Sequence, residues 1–170
     1  MTAETLFQFI HTFAVTFGVI FAIMKVRQFR RSRQREGALV LLHSFQTPDF
    51  SKALLLTYYL PDGLSKQEVE RRLGDSFYLV YSMTTVWESL GIFVFRREIE
   101  LGMVADFFSG PIMKTWTKLE SYFREEREAL HRETIGEWFE WLRDRLADSE
   151  SENSPIPAQI EHRDWKPARF

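Results

Sequence analysis

The amino-acid sequence predicts an all-α protein in which a single N-terminal transmembrane helix precedes a small cytoplasmic helical bundle. A run of 19 residues, uncharged if its one histidine is neutral, lies near the N-terminus, and a basic cluster follows it directly. Later segments carry apolar residues three and four positions apart, with helix-capping residues at their starts. Leu, Phe, Trp and charged residues dominate the composition, as in many helical proteins.

The overall composition excludes several classes of site. The 170 residues include no cysteine, so disulfides, thiolate nucleophiles and cysteine-based zinc sites are excluded. The formal net charge of −2 does not suit a polycation that binds nucleic acid over its whole surface.

The uncharged run extends from Leu6 to Met24. As a helix it would be about 28 Å long, close to the roughly 30 Å hydrocarbon core of a bilayer. The alternatives are a buried core helix and a cleaved signal peptide. A signal peptide carries its positive charge before the apolar run, whereas here the charge follows, so the sequence favours a retained span.

The basic cluster that follows the run predicts the orientation of the span. Residues 25–36 contain six basic side chains and one acidic one, a local net charge of +5. Basic residues are retained on the cytoplasmic side, so we expect the N-terminus outside the plasma (inner) membrane and the remaining chain in the cytoplasm. We expect the same residues to contact anionic lipid headgroups, and nucleic-acid binding is the rival interpretation. They are Lys25, Arg27, Arg30, Arg31, Arg33 and Arg35.

Three polar residues share one face of the predicted span. Gln8, Thr12 and Thr16 recur every four positions. Small and polar side chains in spans often mark helix–helix contacts, so this face is a candidate for oligomerisation or for docking to partner spans. The alternative is that the threonines bond their own backbone and the glutamine lies near the outer interface.

Capping signals locate the first helices of the cytoplasmic part. Thr47 followed by Pro48 predicts the start of a helix of about three turns. Ser65 and Glu68 form a capping-box pattern that predicts a second, shorter helix. Gly74 is expected to end it.

The next apolar segment, Phe77 to Arg97, is long enough to be a second span. Glu88 near its middle would be costly in lipid, so we predict a buried central helix of a bundle instead. Ser109 to Pro111 is expected to break the chain. Pro111 then starts an amphipathic helix, and the last helix is predicted from Glu133 to Ala147.

Glu88 is the candidate site residue because a carboxylate in an apolar helix is costly unless it is paired. We predict a structural ion pair with Arg96, Arg97 or Arg127, with Arg124 as a further candidate partner. A binding or acid–base carboxylate is the functional alternative. Four tryptophans are expected to be core or interface aromatics rather than ligand-stacking platforms: Trp87, Trp116, Trp138 and Trp141.

Catalytic and cofactor motifs give no signal. The phosphate-binding glycine loops, the serine nucleophile elbow and the H-E-x-x-H zinc motif are all missing from the sequence. One E-x-x-H pattern, Glu128 to His131, lies in a charge-rich stretch, whereas a di-iron bundle needs two. We therefore predict no catalytic residue, metal, cofactor or small-molecule substrate, and a protein that is not an enzyme.

The predicted organisation has three parts. Residues 1–36 form the transmembrane helix with its basic juxtamembrane extension, and residues 37–147 form the cytoplasmic helical domain. Residues 148–170 are polar and contain proline, so they are expected to be a disordered tail.

The order of motifs resembles a bacterial family known only as a domain of unknown function. The similar pattern has an aromatic–Glu pair before Leu-Gly, two arginines, a tryptophan, a later arginine and a closing Phe-Glu-Trp-Leu. It covers roughly residues 1–146, and departs where "EIE" follows the arginines in place of a frequent glycine. The resemblance implies one N-terminal span and a cytoplasmic helical domain, without known catalytic or binding residues. The matching positions are Trp87, Glu88, Leu90, Gly91, Arg96, Arg97, Trp116, Arg127 and Phe139 to Leu142.

These observations predict a membrane-tethered, non-enzymatic interaction or scaffold protein. Its cytoplasmic domain would bind a protein partner or a second copy of itself. The alternative is a single-span accessory subunit of a larger membrane complex.

Overall fold

The described residues form helices joined by turns and short loops, which confirms the all-α prediction. The computed structural model describes residues 13, 16–26, 28, 45, 47–152 and 156–167. The chain divides into two compact units, Met1–Gln46 and Thr47–Phe170, which we call unit 1 and unit 2. Within the described ranges, no residue belongs to a β-strand.

Unit 1 contains an apolar helix, α1, over Thr16–Val26. Its large apolar side chains are exposed: Phe17 is 63% exposed, Phe21 55% and Met24 55%. The predicted span from Leu6 to Met24 lies partly outside the described residues. The part that is described is therefore helical and apolar, and its side chains are not buried.

Unit 2 contains six α-helices and one short 3₁₀ turn among its described residues. The turn, Gly74–Ser76, joins α3 to α4. The helices are α2 (Pro48–Tyr58), α3 (Lys66–Leu73), α4 (Phe77–Phe95), α5 (Leu101–Leu130), α6 (Glu137–Glu152) and α7 (Ala158–Glu161).

Four of these helices form a closed ring. Helix α4 packs against α2 and α6, and α5 packs against the same two helices from the other side. Helix α3 lies outside the ring and contacts mainly α5. This four-helix arrangement encloses the core of unit 2.

Trp87 on α4 is the central residue of the core and is 0% exposed. Its ring contacts one aromatic ring from each of the other three ring helices. The centroid distances are 5.3 Å to Phe50 on α2, 5.9 Å to Phe108 on α5 and 6.4 Å to Phe139 on α6. A single buried side chain therefore joins all four helices.

Local capping follows the predictions. Thr47 Oγ1 accepts the backbone N–H of Phe50 at 3.1 Å, and Pro48 begins α2. Ser65 and Glu68 form the predicted capping box at the start of α3. Gly74 ends that helix with a φ of +48°. These signals are reliable because each depends on residues within one turn of the helix end.

Helix α4 is the central helix predicted for residues 77–97. Its inner face is buried, and hydroxyls on its outer face bond their own backbone, as Ser89 does to Thr85 O at 2.9 Å. By length and composition alone, the helical stretch Lys66–Phe95 is the one described stretch that could cross a membrane. Its buried side belongs to the core of unit 2.

Two predicted boundaries of the later helices are wrong. The predicted break at Ser109 to Pro111 lies inside α5, which runs continuously past Pro111. Proline removes one helical hydrogen bond, but buried residues on both sides of it, Val104 and Ile112, belong to the same packed face. The last helix begins at Glu137, because residues 131–136 form turns.

The prediction of a disordered tail over residues 148–170 is also wrong for part of the described residues. The expected domain boundary at residue 148 falls inside α6, which continues to Glu152. Helix α7 adds one turn over Ala158–Glu161, in a segment that was expected to be disordered. Every described residue from 156 to 167 is exposed, so this segment adds little to the core.

Candidate functional site

Glu88 holds the start of helix α6. Its Oε2 accepts the backbone N–H of Trp138 at 3.2 Å, and its Oε1 accepts that of Phe139 at 3.3 Å. The first N–H groups of a helix have no partner within the helix, and a side-chain oxygen usually caps them. The residue before α6 is Gly136, which has no side chain, so Glu88 on α4 provides the cap from another helix.

Gly91 lies one turn further along α4 and touches the same part of α6. A Cβ placed on Gly91 would lie 2.3 Å from the carbonyl oxygen of Trp138 and 2.9 Å from its carbonyl carbon. Real Cβ atoms essentially never approach backbone this closely. Glycine at this position therefore allows the backbones of α4 and α6 to touch.

The half-buried environment of Glu88 raises the pKa of its carboxyl group. Burial is the largest cause, and the negative charge of Glu137 adds to it. The N–H groups of Phe139 and Trp138, and the positive charge of Arg127, lower the pKa without reversing the shift. Desolvation thus outweighs hydrogen bonding at this carboxyl group.

Arg127 on α5 secures the other side of α6. Its Nε donates to the carbonyl oxygen of Ile135 at 2.7 Å, and its Nη1 lies 2.7 Å from Oε2 of Glu140. The side chain is largely buried, with 16% exposed. One guanidinium group therefore holds both the loop before α6 and the first turn of α6.

The predicted ion pair between Glu88 and an arginine is wrong for the described part of the chain. The oxygens of Glu88 bind backbone N–H groups, and Arg127 pairs with Glu140 instead. Arg96 and Arg97 are exposed at the end of α4. Arg124 pairs with Glu120 on the surface of α5. The physical reason is that a helix N-terminus supplies partial positive charge and N–H donors without a cationic side chain.

Gly136 is a further residue of this arrangement that the sequence prediction missed. It has a φ of +70°, and a Cβ there would lie 2.7 Å from the ring of Phe123. Glu140 was missed as well. The signal available for Gly136 was a glycine directly before an amphipathic helix. The signal available for Glu140 was an acidic residue in the first turn of a helix. Glu88, Gly91, Arg127, Gly136 and Glu140 together form what we call the α6 clamp.

The four tryptophans of the prediction divide into two groups. Trp87 and Trp116 are buried, at 0% and 3% exposure. Trp138 and Trp141 on α6 are only half-buried, and with exposed Phe95 they form one surface cluster. Ring centroids are 5.0 Å apart for Phe95 and Trp138, and 6.0 Å apart for both other pairs. We call these three residues the aromatic patch.

The structure describes only some of the residues that were predicted to lie in the membrane or at its surface. Thr16 begins α1, whereas Gln8 and Thr12 lie outside the described residues. Lys25 is exposed, with its Nζ 5.6 Å from the ring centroid of Phe21. The five remaining basic residues also lie outside the described residues: Arg27, Arg30, Arg31, Arg33 and Arg35. Among the residues that can be assessed, no group of three His, Asp or Glu side chains could hold a metal ion.

The described part of the chain is a small helical protein in which the α6 clamp holds α6 against the neighbouring helices. The chain belongs to the family described as Domain of unknown function (DUF4760), whose sequence profile matches residues 12–146. This confirms the resemblance to a domain of unknown function. The comparisons with curated proteins and with solved structures gave no match. Within unit 2, the family match covers all of α2 to α5 and most of α6.

The cap from Glu88 predicts a measurable loss of stability. Replacing Glu88 with alanine should lower the free energy of unfolding by about 2 kcal/mol, because two helix N–H groups lose their acceptor. Glu88→Gln keeps one acceptor oxygen, so it should lower the free energy of unfolding by only about 1 kcal/mol at neutral pH. Urea unfolding of the full chain in detergent, followed by tryptophan fluorescence, measures both. All five tryptophans lie in unit 2, so the signal reports that unit alone.

The control is Glu98→Ala, which removes an exposed carboxylate near the end of the same helix. It should change stability by less than about 0.5 kcal/mol. If the Glu88→Ala variant were no less stable than this control, the capping role would be wrong.

The raised pKa of Glu88 also predicts a pH dependence. Between the ordinary value of 4.5 and the raised value in the folded state, the folded protein binds more protons than the unfolded chain. Stability should therefore fall as the pH rises through this window. The Glu88→Gln variant has no such proton to lose, so its stability should fall less over the same window than that of the unsubstituted chain. Parallel curves for the two proteins would contradict the raised pKa.

Proposed function

We propose that this chain is a membrane-tethered, non-enzymatic interaction protein. Unit 1 provides a single membrane span, and unit 2 is a helical domain held at the membrane surface for contact with a protein partner. The observation that carries the proposal is the exposure of α1, whose large apolar side chains from Phe17 to Val26 are each at least 49% exposed. Apolar surface of this extent favours a membrane or a partner over water.

The sequence extends this observation to a full span. Helix α1 covers the C-terminal part of the uncharged run from Leu6 to Met24 and continues to Val26. The whole run has the length that a bilayer requires. The basic residues from Lys25 onward favour a cytoplasmic unit 2 and contact with anionic headgroups. Protease added to intact spheroplasts should then leave unit 2 uncut, and cleavage within unit 2 would contradict this orientation.

The clamp supports an interaction role rather than a catalytic one. Glu88, Arg127 and Glu140 each bind backbone groups or one another. Their arrangement fixes α6, and with it the side chains that α6 presents at the surface. A rigid helical surface is a common basis for binding a partner.

Membrane anchoring can be tested by alkaline carbonate extraction of the full chain. We expect the unsubstituted chain to stay in the membrane pellet and the double variant Phe17→Arg, Ile20→Arg to be released. Each arginine should cost about 3 kcal/mol near the centre of a span. The matched control places the same charges on the outer face of α4 with Tyr81→Arg and Thr85→Arg.

The control variant should remain in the pellet, because α4 is assigned to the core of unit 2. Release of the unsubstituted chain would contradict membrane anchoring. Release of the α4 variant alone would assign the span to the stretch Lys66–Phe95 instead of the N-terminal run.

A further inference from the structure

The aromatic patch is a surface feature of unit 2 that the core does not explain. Phe95 is 59% exposed, and Trp138 and Trp141 are each only half-buried. The three rings come from two helices and lie within 6.0 Å of one another by their centroids. A contiguous group of aromatic rings that reach the surface of a folded domain indicates a contact surface.

The α6 clamp makes this patch rigid. Glu88 binds the backbone N–H of Trp138, and Gly91 touches its carbonyl group. The backbone of Trp138 is thus held on both sides by α4, the helix that also carries Phe95. The three rings are therefore presented in a fixed arrangement, which reduces the entropy lost on binding.

The chemistry of the patch suits the boundary between lipid headgroups and acyl chains. Tryptophan is enriched at this boundary in membrane proteins, and phenylalanine inserts its ring there. Arg96 and Arg97 follow Phe95 directly, and Glu98 and Glu100 come next along the chain, so the charges of residues 96–100 cancel. Insertion of the aromatic rings, rather than net charge, would therefore provide the attraction.

The length of the connecting chain keeps unit 2 beside the membrane. Residues 27–46 separate the end of α1 from the start of unit 2, and even fully extended they span only about 70 Å. A tether of this length raises the effective concentration of the patch near lipid to roughly the millimolar range. Weak insertion of three rings would then suffice to hold the domain on the bilayer.

We propose that the aromatic patch of Phe95, Trp138 and Trp141 docks unit 2 onto the surface of the bilayer in which its own N-terminal segment is anchored. This inference rests on the proposed membrane anchoring.

The test uses the full chain reconstituted in vesicles of phosphatidylcholine with brominated acyl chains, which quench tryptophan at short range. The segment from residue 1 to 86 has no tryptophan, so the span itself gives no signal. Trp165 is 71% exposed and is replaced by phenylalanine in all samples. The Trp165→Phe protein then keeps two buried tryptophans and the two of the patch.

We expect quenching of the Trp165→Phe protein to exceed that of a Trp138→Phe, Trp141→Phe, Trp165→Phe protein by about two-fold or more, because the latter keeps only buried tryptophans. Adding Phe95→Asp to the Trp165→Phe protein should reduce the quenching. The matched control Tyr59→Asp, at a site that is 85% exposed outside the patch, should not. Equal quenching of the first two proteins would overturn the proposal.

Carbonate extraction of the same vesicles separates the two proposals. Extraction of the chain from the vesicles would refute the membrane anchoring. Retention of the chain, without quenching that depends on the patch, would refute only the docking. The sequence has no cysteine, so Phe95→Cys gives a unique crosslinking position. Efficient crosslinking of two copies at this position, without quenching, would assign the patch to a second copy of the chain and overturn the lipid contact.

Discussion

Replacing Gly91 with alanine is expected to lower the free energy of unfolding of unit 2 by about 3 kcal/mol. The added Cβ would lie 2.3 Å from the carbonyl oxygen of Trp138, which is a backbone atom of another helix. A backbone atom cannot move out of the way by changing a rotamer, so α4 and α6 must separate. Their separation would also lengthen the hydrogen bonds from Trp138 and Phe139 to Glu88.

Gly102→Ala is the matched control for this prediction. Gly102 is also in a helix, α5, and a Cβ on it would have nothing within 4 Å. Alanine is the better helix former, so this variant should be neutral or more stable by up to about 1 kcal/mol. Urea unfolding followed by tryptophan fluorescence measures both variants. Equal stability of the two would show that α4 and α6 do not approach as closely as described.

The difference between these two glycines shows what a sequence can and cannot predict. Both occur among helix-forming residues, and the neighbouring residues do not show which one touches another backbone. The contact of Gly91 is with Trp138, 47 positions further along the chain. A contact of this kind depends on how two helices pack, which local periodicity does not determine.

Glu88 illustrates the same limit for polar residues. Its unusual position in an apolar helix was predicted from the sequence, and so was its structural need for a partner. The partner was wrong because the prediction considered cationic side chains only. The N–H groups that Glu88 binds belong to the backbone, which every residue except proline carries, so no residue type marks them. By contrast, Ser65 and Glu68 were predicted correctly because both partners lie within one turn.

Pro111 shows that packing can override a local signal. Ser-Gly-Pro is a strong turn pattern, yet α5 continues through it to Leu130. The helix loses one hydrogen bond at proline, while Ile112, Trp116 and Leu119 remain buried in the ring of helices. Burial of several large side chains, at about 2 kcal/mol each, outweighs the loss of one bond.

Replacing Arg127 with methionine is the second change with a large expected effect, a loss of about 2–3 kcal/mol in unfolding free energy. Methionine keeps much of the apolar stem but leaves the carbonyl oxygen of Ile135 without its donor. The carboxylate of Glu140 loses its close pair and keeps only the longer one, to Arg143 at 3.9 Å. Glu140 is about one-third exposed, so water compensates part of the loss. A double-mutant cycle with Glu140→Gln separates the charge pair from the bond to Ile135.

The surface of the same helix provides the control for Arg127. Arg124 pairs with Glu120 at 2.9 Å, but both side chains are well exposed, at 66% and 47%. Exposed pairs of this kind contribute less than about 0.5 kcal/mol, so Arg124→Met should be nearly neutral. If Arg127→Met were equally neutral, Arg127 would be one more surface charge. A large loss at Arg127 alone would instead show that this guanidinium holds α6 in the position from which Trp138 and Trp141 reach the surface.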